Sequence, residues 1–303
     1  MKLTDIINEE YQEVKEEQIV LPAKYEETNE VKAILKLFEK ELCDIEKEKL
    51  KGFTPSPSSL YSFLKSSIRT LPLKTITPQD ITSFLLALKK YNERDSPNSS
   101  TLSESPGIFL SALIHEHQRK NNFDGTYIIP TEQLKEKINY LGIYNNANMH
   151  IIGSIGSYGF LYMKKGNVII DGHTEYALGH KMQNGSIQIN GNTEDSLCRK
   201  MYGGTVIIKG NAGENACSQM SGGTVTIQGN TKGYTGIGMK GGNLFLQGNK
   251  EKFVGIELKG GTIHLQGSSN HEDTYRKYGT IIHKGNVIFH KEPLYKKIFW
   301  WLK

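Results

Sequence analysis

A hydrophobic residue recurs every 19 positions through the second half of this chain: Met163, Met182, Met201, Met220, Met239 and Leu258. Three residues after each comes a glycine, from Gly166 to Gly261, and six residues later a second one: Gly172, Gly191, Gly210, Gly229, Gly248 and Gly267. A strict period of this length means that one supersecondary unit is stacked on copies of itself. That reading sets the architecture of half the chain and leaves little room there for a conventional active site.

The other columns say what kind of unit it is. In the unit GGTVIIKGNAGENACSQM, Val206 and Ile208 alternate with Thr205, Ile207 and Lys209, so they face one side of a short strand. The same two columns are apolar in every clean repeat, as in Val168, Ile187, Val225 and Leu244, and in Ile170, Ile189, Ile227 and Leu246. The next column outward is polar throughout: Asp171, Asn190, Lys209, Gln228, Gln247 and Gln266. One buried stripe per turn predicts a parallel β-solenoid with rungs about 4.8 Å apart. Gly153 keeps the register, which places the start of the array near Asn146. It runs to Gly267 and then slips before the next glycine-strand unit, GNVIF, at Gly285, giving about seven rungs.

The glycines are expected at corners, where φ > 0 costs glycine nothing. After the second glycine come Asn192, Asn211, Asn230 and Asn249, with His173 in the first place. Asparagine tolerates left-handed backbone and can hydrogen-bond up a ladder, which explains this strip without a ligand. A further column reads Gly179, Cys198, Cys217, Gly236, Gly255. The two cysteines fall on adjacent rungs, with Cα atoms about 5 Å apart, close enough for a disulfide. The other reading makes cysteine a small buried stand-in for glycine, and a reducing compartment favours it. No third ligand column accompanies them, so they do not read as a metal site.

Only three cysteines in 303 residues point to a reducing compartment. No apolar run approaches the ~18–20 residues needed to span a bilayer. The start, MKLTDIINEEYQEVKEE, is acidic and lacks the apolar core of a secretory signal, so a cytoplasmic protein is expected. Charge is unevenly divided. Residues 1–145 hold 19 Lys/Arg against 22 Asp/Glu, and residues 146–303 hold 18 against 10. A basic half can attract an acidic partner or a nucleic acid. However, no single Lys/Arg column persists through the repeats, which points to a solvated outer face, and no nucleic acid is expected.

The first half reads differently. Residues 1–29 form a charged arm with Glu9, Glu10, Glu13, Glu16 and Glu17. Over 30–51, Val31, Ile34, Leu35, Leu37, Phe38, Leu42 and Ile45 make a helical stripe. A second helix restarts near Ser58 after Pro55 and Pro57, with Leu60, Phe63, Leu64 and Ile68 on one face. Thr77 and Pro78 open a third, with Ile81, Phe84, Leu85 and Leu88 inward. A polar linker near 92–106 follows, then helical stretches near 107–121 and 131–141. The expected fold is therefore α+β and multidomain. A small all-α domain of four or five helices (30–145) precedes a parallel β-helix (146–290). Residues 291–303 close the chain as an amphipathic segment. In it Leu294, Tyr295, Ile298, Phe299, Trp301 and Leu302 share a helical face, suited either to capping the open end of the solenoid or to a membrane interface.

The repeats GGTVIIKGNAGENACSQM–SGGTVTIQGNTKGYTGIGM–KGG resemble the C-terminal GXGXG domain of glutamate synthase. They are equally similar to the corresponding subunit of formylmethanofuran dehydrogenase. The resemblance covers about residues 146–270. It implies a right-handed parallel β-helix that serves those enzymes as a structural spine and carries no catalytic residues. The rest of glutamate synthase has no counterpart: there is no cysteine cluster for an iron–sulfur centre and no Rossmann or phosphate-loop glycine motif. Cys198 and Cys217 depart from the pattern, which usually has glycine there, as does the broken register after Gly267.

Few residues remain for chemistry. His115-Glu116-His117 invites a metal reading, but histidines two apart on a helix point in different directions. A helix-end polar cluster is the alternative. His264, His271, His283 and His290 gather toward the last rungs, with Glu272 or Asp273 as carboxylates for a zinc or catalytic role. No catalytic, cofactor-binding or metal residue is assigned and no cofactor is expected. The positions singled out are the structural columns: Gly172, Gly191, Gly210, Gly229, Gly248; Asn192, Asn211, Asn230; Met182, Met201, Met220, Met239. The expected function is a non-catalytic scaffold that docks to a protein partner subunit, with a homo-oligomer also open. The partner would be an oxidoreductase or amidotransferase. One alternative is an enzyme with a site at the junction of helical domain and β-helix, where His115, Glu116, His117 and Asp124 are the contenders. Another is a peripheral membrane or assembly protein that uses residues 294–303.

Overall fold

The computed structural model describes residues 28–50, 55–91, 105–249, 253–268 and 278–291. The charged arm before Thr28, most of the 92–106 linker, residues 269–277 with His271, Glu272 and Asp273, and the amphipathic segment 294–303 lie outside the described residues. Four α-helices, α1 (Asn29–Leu50), α2 (Pro57–Ile68), α3 (Pro78–Tyr91) and α4 (Ser105–Asn121), precede a ten-stranded sheet whose strands lie in sequence order.

The helices start where capping chemistry places them. Thr28 Oγ1 accepts from the Val31 N–H at 3.1 Å, and Ser56 Oγ accepts from the Ser59 N–H at 3.2 Å ahead of Pro57. At α3, Thr77 and Asp80 form a reciprocal box. The Asp80 N–H donates to Thr77 Oγ1 at 3.2 Å, and the Thr77 N–H donates to Asp80 Oδ2 at 2.8 Å. Val31, Ile34, Phe38, Leu42 and Ile45 give α1 its buried face. On α2 the buried face is Leu60, Tyr61, Leu64 and Ile68, whereas Phe63 is 48% exposed. The expected Phe63 stripe is displaced because Tyr61 turns inward to meet α4.

The second half is a β-solenoid of about eight turns, one more than the seven rungs expected, with roughly 19 residues per turn. Six strands form its regular body: β3 (Asn167–Ile170), β4 (Ser186–Ile189), β5 (Thr205–Ile208), β6 (Thr224–Ile227), β7 (Asn243–Leu246) and β8 (Lys259–Leu265). They pair in parallel in the predicted register, Val168↔Ile187, Ile187↔Val206, Val206↔Val225 and so on. Ahead of them lie β2 (Asn148–Ile151) and β1 (Thr126–Ile129). Tyr127 pairs with Met149, so the sheet begins some twenty residues before Asn146. Tyr127 and Ile129 alternate inward, which qualifies this stretch as a strand. It escapes the repeat because its turn is longer than the 19-residue step from Met149 to Val168. Residues 131–141, expected to be helical, hold one 3-10 turn at Thr131–Gln133 and then irregular turns that already belong to the solenoid.

The far end also differs. Strand β9 (Tyr278–His283) continues the parallel sheet after a register shift against β8. Strand β10 (Asn286–Lys291), which contains GNVIF, is antiparallel to β9 instead of a further rung. Lys284 and Gly285, with φ of +48° and +82°, make the two-residue turn that forces this reversal. One hydrophobic core runs unbroken from Ile34 on α1 to Ile281 on β9. No helix among the described residues is long and apolar enough to cross a membrane.

Candidate functional site

Each repeated column has a distinct mechanical role. Met182, Met201, Met220 and Met239 are fully buried. Their methyl groups reach the first glycine of the next turn. An added Cβ on Gly204 would lie 2.7 Å from Met182 Cε, and one on Gly223 would lie 2.8 Å from Met201 Cε. The methionine and that glycine are therefore two halves of one contact, and the glycine also sits at φ near +90°. The second glycines, Gly172, Gly191, Gly210, Gly229 and Gly248, were expected to adopt positive φ and do not. Close approach requires them. An added Cβ on Gly229 would stand 2.4 Å from the carbonyl oxygen of Gly210, and one on Gly248 would stand 2.3 Å from that of Gly229.

The asparagine ladder is real, but it too avoids left-handed backbone. The backbone N–H of Asn211 donates to Asn192 Oδ1 at 2.8 Å, Asn230 to Asn211 Oδ1 at 2.7 Å, and Asn249 to Asn230 Oδ1 at 2.8 Å. His173 Nδ1 accepts from the Asn192 N–H in the same way, at 2.9 Å. Side-chain oxygen to backbone amide, not amide to amide, is the linkage.

Left-handed backbone is found elsewhere. In each turn it occurs at alternate positions, as at Ala177, Gly179 and Lys181, or Ser196, Cys198 and Lys200. Along this ribbon the N–H groups point alternately to the two neighbouring turns: Ala177 donates to Asp195, Gly179 to Gly159, and Lys181 to Arg199. Cys198 and Cys217 occupy the central position with φ of +52° and +58°. Both thiols are free and buried, and burial pushes both above the ordinary thiol range, so they stay protonated.

The His115-Glu116-His117 stretch lies on α4, and the structure sends its side chains to separate places. His117 is buried. Its Nε2 donates to the Ile76 carbonyl at 2.9 Å, and its Nδ1 accepts from Tyr127 Oη at 2.7 Å. Both ring nitrogens are engaged, which holds β1 to the helices. His115 faces α2 and the solenoid. Lys65 Nζ at 3.4 Å and Asn146 Nδ2 at 3.3 Å both point donors at Nε2. Nε2 is therefore the acceptor, and Nδ1–H donates to Tyr61 Oη at 2.6 Å. Burial, reinforced by the Lys65 charge, lowers the His115 pKa to about 4, so the ring is neutral at pH 7. Burial also pushes the Tyr61 phenol up, with Glu116 adding to the effect.

Glu116 is fully buried and collects three cations. Arg69 Nε donates at 3.1 Å, Arg119 Nη2 at 2.7 Å, and Lys65 Nζ stands at 3.5 Å. Burial alone would raise its pKa; the hydrogen bonds from Arg69 and Arg119 outweigh that and bring it to about 2. Tyr61, Lys65, Arg69, Arg119, Tyr144 and Asn146 all enter this junction, and sequence reasoning selected none of them. Tyr61 and His115 are 54 residues apart with no shared motif, so only the docking of α2 on α4 reveals them. Asp124, a fourth contender, is exposed, and its carbonyl accepts from Asn148 Nδ2 at 3.2 Å.

Among the late histidines, His264 stacks on Phe245 with centroids 4.3 Å apart, and His283 Nε2 donates to the Gly267 carbonyl at 3.0 Å. His290 Nδ1 and Thr280 Oγ1 are 2.9 Å apart. These contacts belong to different turns. Among the described residues no three His, Cys, Asp or Glu side chains converge as metal ligands would. No family model matches the chain, and no curated protein matches it.

Proposed function

We propose that this chain is a non-catalytic scaffold whose β-solenoid docks to a protein partner subunit, in the manner that the resemblance to the spine domains of glutamate synthase and formylmethanofuran dehydrogenase implies. The same resemblance implies a right-handed winding, and the three free cysteines favour a reducing, cytoplasmic setting. The observation that carries the reading is the use made of polar groups in the repeats. The Asn oxygens and ribbon amides are engaged in turn-to-turn hydrogen bonds, and both thiols are buried. A rigid, repetitive wall of this kind suits an extended interface. Affinity purification from the native cell, followed by rebuilding the complex from separated components, tests it. A defined stoichiometry on rebuilding is expected; recovery of the chain alone as a monomer would overturn the scaffold.

A second reading places an enzyme site at the junction. Its support is the hydrogen-bonded set of Tyr61, neutral His115 and Lys65 beside Asn146. Against it stands the engagement of both His115 ring nitrogens, which leaves no free base. If a reaction is found for the purified chain, His115→Gln should abolish it; retained turnover would remove the junction from consideration.

A further inference from the structure

In the first regular turns of the solenoid the charges are segregated around the perimeter, which column-by-column reading missed. In the three turns from Tyr158 to Tyr202, Lys164, Lys165, Lys181, Arg199 and Lys200 lie in neighbouring columns beside the buried methionines. None of these five has a carboxylate partner among the described residues. The four acids of the same turns stand elsewhere: Asp171 follows β3 and faces His150 and Asn190, and Glu175, Glu194 and Asp195 lie at the other end of the ribbon.

The strip continues onto the helices. Lys164 covers the Tyr144 ring at 5.4 Å, Tyr144 packs on Tyr61 with centroids 5.1 Å apart, and Lys65 covers Tyr61 at 5.9 Å, so the solenoid cations and the junction cations form one wall. Lys65, Arg69 and Arg119 share the single carboxylate of Glu116, and Arg69 and Arg119 remain about half exposed, with side chains 54% and 53% accessible. Among the described residues eight cations thus face one acid. Like charges held at the spacing of stacked turns repel one another and favour an anionic ligand spanning several of them.

The rings in the wall decide between ligand classes. Tyr144 and Tyr162 stack on each other, centroids 5.1 Å apart. Lys164 and Lys181 cover them at 5.4 Å and 5.1 Å from the ring centroids. Their faces are not open to nucleobases, and Tyr202, 56% exposed, is a lone ring where single-stranded nucleic acid takes a series. We propose that this wall binds an Asp/Glu-rich peptide segment of the partner subunit, lying across these three turns beside α4. The proposal rests on the scaffold reading and adds to it the chemistry of the partner.

The test uses the full chain and a labelled Asp/Glu-rich peptide, with binding followed by fluorescence anisotropy. At about 0.01 M salt the Debye length is about 30 Å, and binding is expected; at about 1 M it is about 3 Å, and binding should vanish. The double variant Lys181→Glu/Lys200→Glu should weaken binding by about tenfold or more. Its fold should survive, because Glu257 already occupies that column at φ +53°. Lys232→Glu, exposed elsewhere on the solenoid, should change nothing. Absence of peptide binding at low salt, or an unchanged affinity in the double variant, overturns the proposal. So does a single-stranded oligonucleotide of equal charge binding about tenfold more tightly than the peptide. A native complex that survives the double substitution would sink the wall and leave the scaffold standing. Peptide binding without any native complex would do the reverse.

Discussion

The backbone N–H of Asn230 donates to the side-chain oxygen of Asn211 at 2.7 Å, one full turn away. This contact repeats from Ser154 to Ser268 and ties each corner to the next. Replacing Asn211 with Ala removes one acceptor at an exposed corner, where water can partly replace it. The expected cost is about 0.5–1.5 kcal/mol. Urea denaturation measures it, and a variant with an unchanged midpoint would mean that the ladder follows the fold without supporting it.

Two glycine columns that look alike in sequence should respond very differently to a methyl group. Gly229→Ala drives a Cβ to 2.4 Å from the backbone oxygen of Gly210, which cannot rotate away. A loss of about 2–4 kcal/mol is expected. Gly179→Ala meets nothing nearer than Cys198 Sγ at 3.4 Å, an ordinary contact. Its column already accepts Phe160, Cys198 and Cys217 at positive φ, so the cost is the left-handed backbone alone, about 1–2 kcal/mol. Equal destabilisation of the two variants by guanidinium titration would refute this division of roles.

The same two columns show how far the sequence could be read. Strand register, the inward columns and the period were legible because hydrophobic alternation and stacking both act through residues at fixed spacing. The reasons behind the glycines were not. A glycine required by a methionine one turn earlier and a glycine required by a facing carbonyl leave the same letter. The left-handed ribbon was hidden because most of its positions carry ordinary residues such as Lys181, Ser196 and Gln219. The ends were misplaced where the period lapses, at Tyr127 and at Lys284-Gly285. The junction around His115 depends on contacts between α2, α4 and the first turns, which no local pattern encodes.

Acid should destabilise the protein in two stages. The His115 and His180 pKa values are lowered to about 4 from an ordinary 6.5, mainly by burial. Between these values the unfolded chain binds more protons than the folded one, so stability falls as pH drops from about 6.5 to about 4. The Glu116 pKa is lowered to about 2 from 4.5, so its contribution is complete above about pH 4.5 and is lost as pH falls toward 2. His180 Nδ1 is buried without a partner among the described residues, so His180→Leu should shrink the upper stage to the share of His115, at little cost at pH 7. Glu116→Gln should remove the lower stage and cost about 1.5–3 kcal/mol at neutral pH, because three cations lose their counter-charge but Arg69 and Arg119, half exposed, are still hydrated. Thermal melts from pH 3 to pH 8 read both stages, and a flat wild-type profile would contradict the assignment.

The final strand presents a hazard that the rest of the solenoid avoids. Among the described residues strand β10 pairs with β9 on one side only, and Val287 and Ile288 are 60% and 42% exposed. An apolar strand with one open edge is a template for pairing with another chain. At the opposite end of the sheet, β1 is covered by α3, where Thr82 Oγ1 donates to the Ile128 carbonyl at 2.9 Å. Val287→Lys and Ile288→Lys together should therefore lower concentration-dependent self-association while leaving stability within about 0.5 kcal/mol, as expected for exposed positions. Light scattering over a concentration series is the measurement. If self-association is unchanged while the melting temperature drops, these side chains are packing against something rather than facing solvent, and the β10 edge is not the open end of the sheet.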